Sequence, residues 1–106
     1  MPVELAAEQD GPVVRVALAG ELDVSTAPSV EERLLALEDD PHESVVIDLR
    51  EIRFIDSTGL SLLINAHSRA QKAGRRVTIV PGDGAPRRIL ETTGLRSRLD
   101  IAEEPR

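Results

Sequence analysis

The clearest chemistry in this sequence lies in Asp56-Ser57-Thr58-Gly59-Leu60, which follows an apolar segment and opens another. In that second segment Leu60, Leu63, Ile64, Ala66, Ala70 and Ala73 recur at helical spacing. The Ser57 hydroxyl is therefore expected at a strand-to-helix turn, where the first backbone N–H groups of a helix have no partners within it. Two uses of the serine fit that position. It can cap the helix, because Ser, Thr and Asp are the commonest N-cap residues. It can instead accept a phosphoryl group, which brings about −1.5 to −2 charges and three acceptor oxygens. A helix N-terminus favours such an anion, whereas the adjacent Asp56 opposes it by like-charge repulsion. Opposed tendencies of this kind suit a reversible switch on a partner-facing surface.

Other chemistry is harder to assemble. His42 is expected to be exposed in an acidic, proline-containing loop, and His67 to sit at the edge of the packed face of the long helix. Ten residues of helix separate His67 from Ser57, roughly 15 Å along the axis, so a Ser-His-Asp arrangement is poorly supported. A small hydrolase built on Ser57 would need a positioned base that the spacing does not supply. Asp23, Asp48 and Asp56 all fall near expected strand ends. Each can cap a turn or helix, or the three can converge on one sheet edge and hold a hard cation such as Mg²⁺. Gly82-Asp83-Gly84 lacks the lysine of a phosphate-binding loop, and Gly59 alone does not make a dinucleotide fingerprint. No cofactor is expected. Gly59 either lets a partner backbone approach or relieves crowding in the first helical turn.

The composition narrows the function classes further. A chain of 106 residues with 41% hydrophobic and 30% charged residues fits one folded domain, with a core from about 3 to 101 and a tail at 102–106. Thirteen basic residues against nineteen acidic ones give a net charge of −6, which repels nucleic-acid phosphates. Phe54 is the only aromatic of the Phe, Tyr and Trp type, so base-stacking platforms are missing. There is no cysteine for a disulfide framework or a thiolate metal site. The first residues lack the basic and apolar regions of a signal peptide, and no apolar run approaches the roughly 20 residues of a membrane span. A cytoplasmic protein with no membrane association is expected.

The elements that must position Ser57 follow from periodicity and punctuation. Val3 to Glu8 and Val13 to Ala19 read as strands around a turn at Gln9-Asp10-Gly11-Pro12, the second presenting Val14, Val16 and Leu18 on one face and ending at Gly20. Ser25 or Thr26 then caps an amphipathic helix with Pro28 in its first turn and Ala27, Val30, Leu34 and Leu37 on its apolar side. Its acidic residues Glu31, Glu32, Glu38 and Asp39 are expected to form a solvated face. Ser44 to Leu49 is a buried strand, joined to the long helix by a brief loop. Gly74 stops that helix after the cations Arg69 and Lys72. A strand over Val77–Val80, a short helix over Pro86–Glu91 and an edge strand over Leu99–Ile101 complete the chain. Alternating strands and helices predict an α/β fold, with a small mixed sheet because of the initial hairpin.

Asp56-Ser57-Thr58-Gly59-Leu60, together with Gly20-Glu21-Leu22-Asp23 and Thr26-Ala27-Pro28 upstream, resembles the STAS domain of bacterial anti-sigma factor antagonists over about residues 13–99. The resemblance implies a mixed sheet of four or five strands with helices packed mainly on one side. It also implies that Ser57 is phosphorylated by a partner kinase, with Asp23, Ser25, Asp56, Thr58 and Gly59 in the surface that meets it. The implied partners are an anti-sigma factor with serine kinase activity and a serine phosphatase, with the protein itself a monomer or weak dimer and not an enzyme. The unphosphorylated form would bind the anti-sigma factor and free a sigma factor. The alternative within the family is a constitutive adaptor or scaffold subunit of a stress-signalling or membrane-transport assembly, in which Thr58 is a spare hydroxyl.

Overall fold

In a computed structural model the protein is described over residues 2–103; positions 104–106 of the expected tail lie outside the described residues. Five strands, β1 (Val3–Asp10), β2 (Val13–Leu22), β3 (Ser44–Ile55), β4 (Arg76–Val80) and β5 (Asp100–Ile101), form one sheet in the order of the chain. The hairpin β1–β2 is antiparallel and every later pairing is parallel. Three helices, α1 (Ala27–Glu38), α2 (Ser57–Lys72) and α3 (Ala85–Thr93), alternate with the strands. The chain therefore has the expected α/β fold with a mixed five-stranded sheet.

All three helices feed one apolar cluster. Val14, Val16 and Leu18 of β2 and Val45, Ile47 and Leu49 of β3 meet Val30 and Leu34 of α1, Leu60, Leu63 and Ala66 of α2 and Leu90 of α3. Burying each of the Val, Leu and Ile side chains among these contributes roughly 2 kcal/mol. The cluster thus fixes where the helices start as well as where they lie. Arg69 of α2 ties the two long helices together, reaching Glu31 at 2.5 Å and Glu38 at 2.7 Å on α1. Two carboxylates expected on a solvated face are accordingly engaged in an inter-helix bridge, and Glu38 leads the interactions that raise the Arg69 guanidinium pKa.

Two expected boundaries move. Gly20 does not end β2: it adopts φ +110° within the strand, and a side chain there would collide with the Pro2 carbonyl oxygen at 2.4 Å, so glycine lets β2 run on to Leu22. Nor is there a loop after Leu49. β3 continues to Ile55 through two bulges, so that five steps along β2, from Ala17 to Leu22, span seven along β3, from Asp48 to Ile55. The bulges break the alternation of buried residues into Leu49, Ile52 and Ile55, which is why the periodicity looked like a loop. The 12-residue strand reaches beyond β4, and its last part pairs with β2 alone.

Candidate functional site

Beyond the last paired residues, Leu22 and Ile55, the chain turns twice in the same manner, side by side. The Asp56 N–H donates to the Leu22 carbonyl at 3.3 Å and so joins the two turns. In the first turn Asp23 Oδ1 accepts the backbone N–H groups of Ser25 and Thr26 at 3.0 and 3.1 Å. In the second, Asp56 Oδ1 accepts those of Thr58 and Gly59 at 2.9 and 3.2 Å. Each aspartate thereby holds donors two and three residues ahead: Asp56 those of the first turn of α2, and Asp23 those of the turn that leads into α1.

The cap of α2 is therefore Asp56, not Ser57. Ser57 takes the first helical position, exposed, and among the described residues its hydroxyl has no hydrogen-bond partner. The serine of the other turn is used differently: Ser25 Oγ donates to Asp23 Oδ1 at 2.7 Å. That bond, against a weaker opposing effect of burial, leads the contacts that hold the Asp23 carboxyl below the usual carboxylate range. Neither serine caps a helix. Thr26 occupies the N-cap position of α1 without a side-chain capping bond; its Oγ1 instead donates to the Glu21 carbonyl at 2.7 Å and accepts from Asp23 N–H at 3.0 Å.

Gly59 is buried rather than turned toward a partner. A methyl group there would lie 2.7 Å from both Ile55 Cγ1 and the Leu22 carbonyl oxygen, so glycine lets the first turn of α2 settle on the ends of β2 and β3. Of the two roles expected for it, the structure uses relief of crowding inside the molecule. Thr58 is half-buried and lines a groove of about 320 Å³ between α1 and α2 with Ala27, Pro28, Glu31, Ser61 and Leu62.

These are the two motifs on which the family likeness rested, now adjacent in space. The STAS domain family model matches residues 4–105. The chain belongs to the STAS domain family. An anti-sigma-B factor antagonist of Staphylococcus aureus is 30% identical over 88 residues, covering 83% of this chain and 82% of the relative. A second anti-sigma-B factor antagonist, from Bacillus subtilis, is 28% identical over 96% of this chain and 93% of its own. The crystal structure of an anti-sigma factor antagonist from Mycobacterium paratuberculosis superposes with a TM-score of 0.83 at 28% identity, covering 96% of this chain and 86% of that one.

The other candidates fall outside the paired turns of this STAS domain. Asp48 does not join Asp23 and Asp56, because β3 carries on past it and places it within the strand, where Arg50 grips it at 2.8 Å. Burial acts to raise its carboxyl, but the Arg50 guanidinium and backbone N–H outweigh that and hold it low. Of the two options for these aspartates, convergence of all three is not formed, and among the described residues no cluster of three or more His, Cys, Asp or Glu could hold a metal ion. His42 is half-buried rather than exposed, with Nδ1 2.7 Å from the Asp40 carbonyl, and His67 lines a cleft toward the other end of α2.

Sequence reasoning missed two exposed apolar residues beside the turns, Val24 at 69% and Phe54 at 49% exposure. The signal for Phe54 was its solitude as the only ring, and for Val24 its place between two polar turn residues.

Proposed function

We propose that this STAS domain is an anti-sigma factor antagonist switched by phosphorylation of Ser57. The observation that carries this reading is the exposed Ser57 hydroxyl, without a partner among the described residues, in a turn whose Asp56 carboxylate is fixed on backbone N–H groups. The names borne by its relatives support the same function. Its partners are then an anti-sigma factor with serine kinase activity and a phosphatase that resets the serine, and the domain acts by binding rather than by catalysis. Asp23, Ser25, Asp56 and Thr58 present the turn to the kinase, while Gly59 keeps the helix seated beneath it.

The Ser57 oxygen attacks the γ-phosphorus of the kinase's ATP; the O–P bond forms as the bond to ADP breaks, and the hydroxyl proton passes to a base on the kinase. The phosphate then stands beside Asp56, whose carboxylate is held in place by the Thr58 and Gly59 N–H groups. Two added charges bring repulsion and an uncompensated desolvation cost into the contact. A 100-fold loss of affinity needs about 2.7 kcal/mol, within reach of one misplaced charge at a close contact.

The test is to titrate the kinase-type anti-sigma factor with the wild-type protein, its enzymatically phosphorylated form and Ser57→Glu, and to locate the modification by mass. A single phosphate on Ser57 with affinity reduced about 100-fold is expected. Equal affinities for all three forms would sink the switch and leave a constitutive adaptor.

A further inference from the structure

At the end of the molecule away from Ser57, a cleft of about 400 Å³ gathers His67, Gln71, Arg75, Arg76, Ser97 and Arg98. We propose that this cleft binds a small molecule bearing two or more phosphoryl groups. The site is independent of the Ser57 turn: Gln71 lies fourteen residues further along α2, roughly 20 Å along the helix axis.

The topology assembles it. β4 and β5 are parallel, so Arg76 at the start of one and Arg98 just before the other reach the same edge of the sheet. α2 runs down to that edge, His67 and Gln71 one turn apart on one side of it. Gly74, at φ +71°, then reverses the chain and delivers Arg75. Three guanidinium groups and an imidazole thus surround one concave space, in a chain whose net charge is −6.

Asp100, the one carboxylate lining the cleft among the described residues, is occupied: Arg76 reaches it at 2.9 Å and Thr78 Oγ1 donates to it at 3.0 Å. Arg75 uses one nitrogen, Nη1, on the Glu38 carbonyl at 3.1 Å and His42 Nε2 at 3.5 Å, leaving further N–H donors. The side chains of Arg98 and His67 have no hydrogen-bond or ion-pair partner among the described residues. The cations therefore exceed what the protein itself neutralises.

Arginine forks match the oxygens of a phosphoryl group in pairs. The volume falls within the range of small-ligand sites, roughly 300–1,000 Å³. Polar Gln71 and Ser97 and four cationic or titratable side chains suit a polyanion; a hydrophobic ligand would desolvate them without return. A singly charged carboxylate would engage only part of the set, whereas two phosphoryl groups would engage both the Arg75–Arg76 side and the Arg98 side.

The experiment is an amide-resolved NMR titration of the intact protein with inorganic pyrophosphate and, separately, fructose 1,6-bisphosphate, each against sodium chloride of equal ionic strength. Saturable shifts at Gln71, Arg75, Arg76, Ser97 and Arg98 are expected, with a dissociation constant of about 1 mM or tighter. Arg98→Glu, at an exposed position outside the core, should weaken binding at least about tenfold while leaving the unperturbed amide spectrum elsewhere intact. Equal affinities for the two probes identify phosphate recognition alone, and tighter binding of the sugar bisphosphate adds contacts to its organic part. Shifts reproduced by chloride, shifts confined to the Ser57 turn, or binding unchanged in Arg98→Glu would overturn the proposal.

Discussion

The turns at Asp23 and Asp56 are built alike and end differently. In both, one carboxylate oxygen holds the N–H groups two and three residues ahead. In the first, serine stands two residues after the aspartate, and its hydroxyl folds back onto the carboxylate. In the second it stands one residue after, at a helical position from which no such bond is made, and it faces solvent. The third residues differ too: Thr26 fits in the first turn, with its hydroxyl on the Glu21 carbonyl, while the second has no room for even a methyl group at Gly59. One serine is thus consumed by the fold and the other is left available.

The sharpest way to break this comparison is to put a side chain into the second turn. Gly59→Ala should lower stability by about 3 kcal/mol, read from chemical denaturation, because the added carbon meets both a backbone oxygen and Ile55. A change below about 0.5 kcal/mol would show that α2 seats less tightly than described.

Next in size is the division of labour between Asp56 and Ser57. Asp56→Ala removes the cap and should cost about 1 kcal/mol, whereas Ser57→Ala should stay within about 0.5 kcal/mol of wild type. If the two costs were reversed, Ser57 would be the structural cap and its availability an illusion.

The smallest effect concerns pH. The folded Asp23 carboxyl lies below the ordinary value of about 3.9, so the unfolded chain takes up its proton first as pH falls. Its stabilisation is present above that value and is lost as pH drops through the folded pKa. Ser25→Ala removes the leading cause, so the Asp23 titration followed by NMR should move upward and this acid-side contribution shrink. An unmoved titration would assign the lowering to the backbone N–H groups instead.

Much of this was legible in the residues. Period-two burial at Val14, Val16 and Leu18 and the helical spacing of Leu60, Leu63, Ala66 and Ala70 located β2 and α2, because one apolar face dominates each. The Asp56–Leu60 segment marked the candidate site, the turn that leads into α2. Three things escaped. The extension of β3 was hidden because a bulge erases the alternation by which a strand is read. The choice of Asp56 over Ser57 as cap depends on backbone angles that several polar residues in a row leave open. The separation of Asp48 from the other aspartates followed from the missed extension, since a strand taken to end at Leu49 puts Asp48 at its tip.

The two bulges of β3 also impose a parity on the chain. The first turns the inward-facing positions from odd numbers to even, at Ile52, and the second turns them back, at Ile55. Each bulge places one more residue on β3 than on β2, so loss of that residue at either bulge would restore regular pairing there and leave Ile55 opposite Leu22 and the Asp56 turn where they are. Across descendants of this sequence, single-residue losses should thus be tolerated at the two bulges, making them the places where β3 can change length without moving the turn at its end.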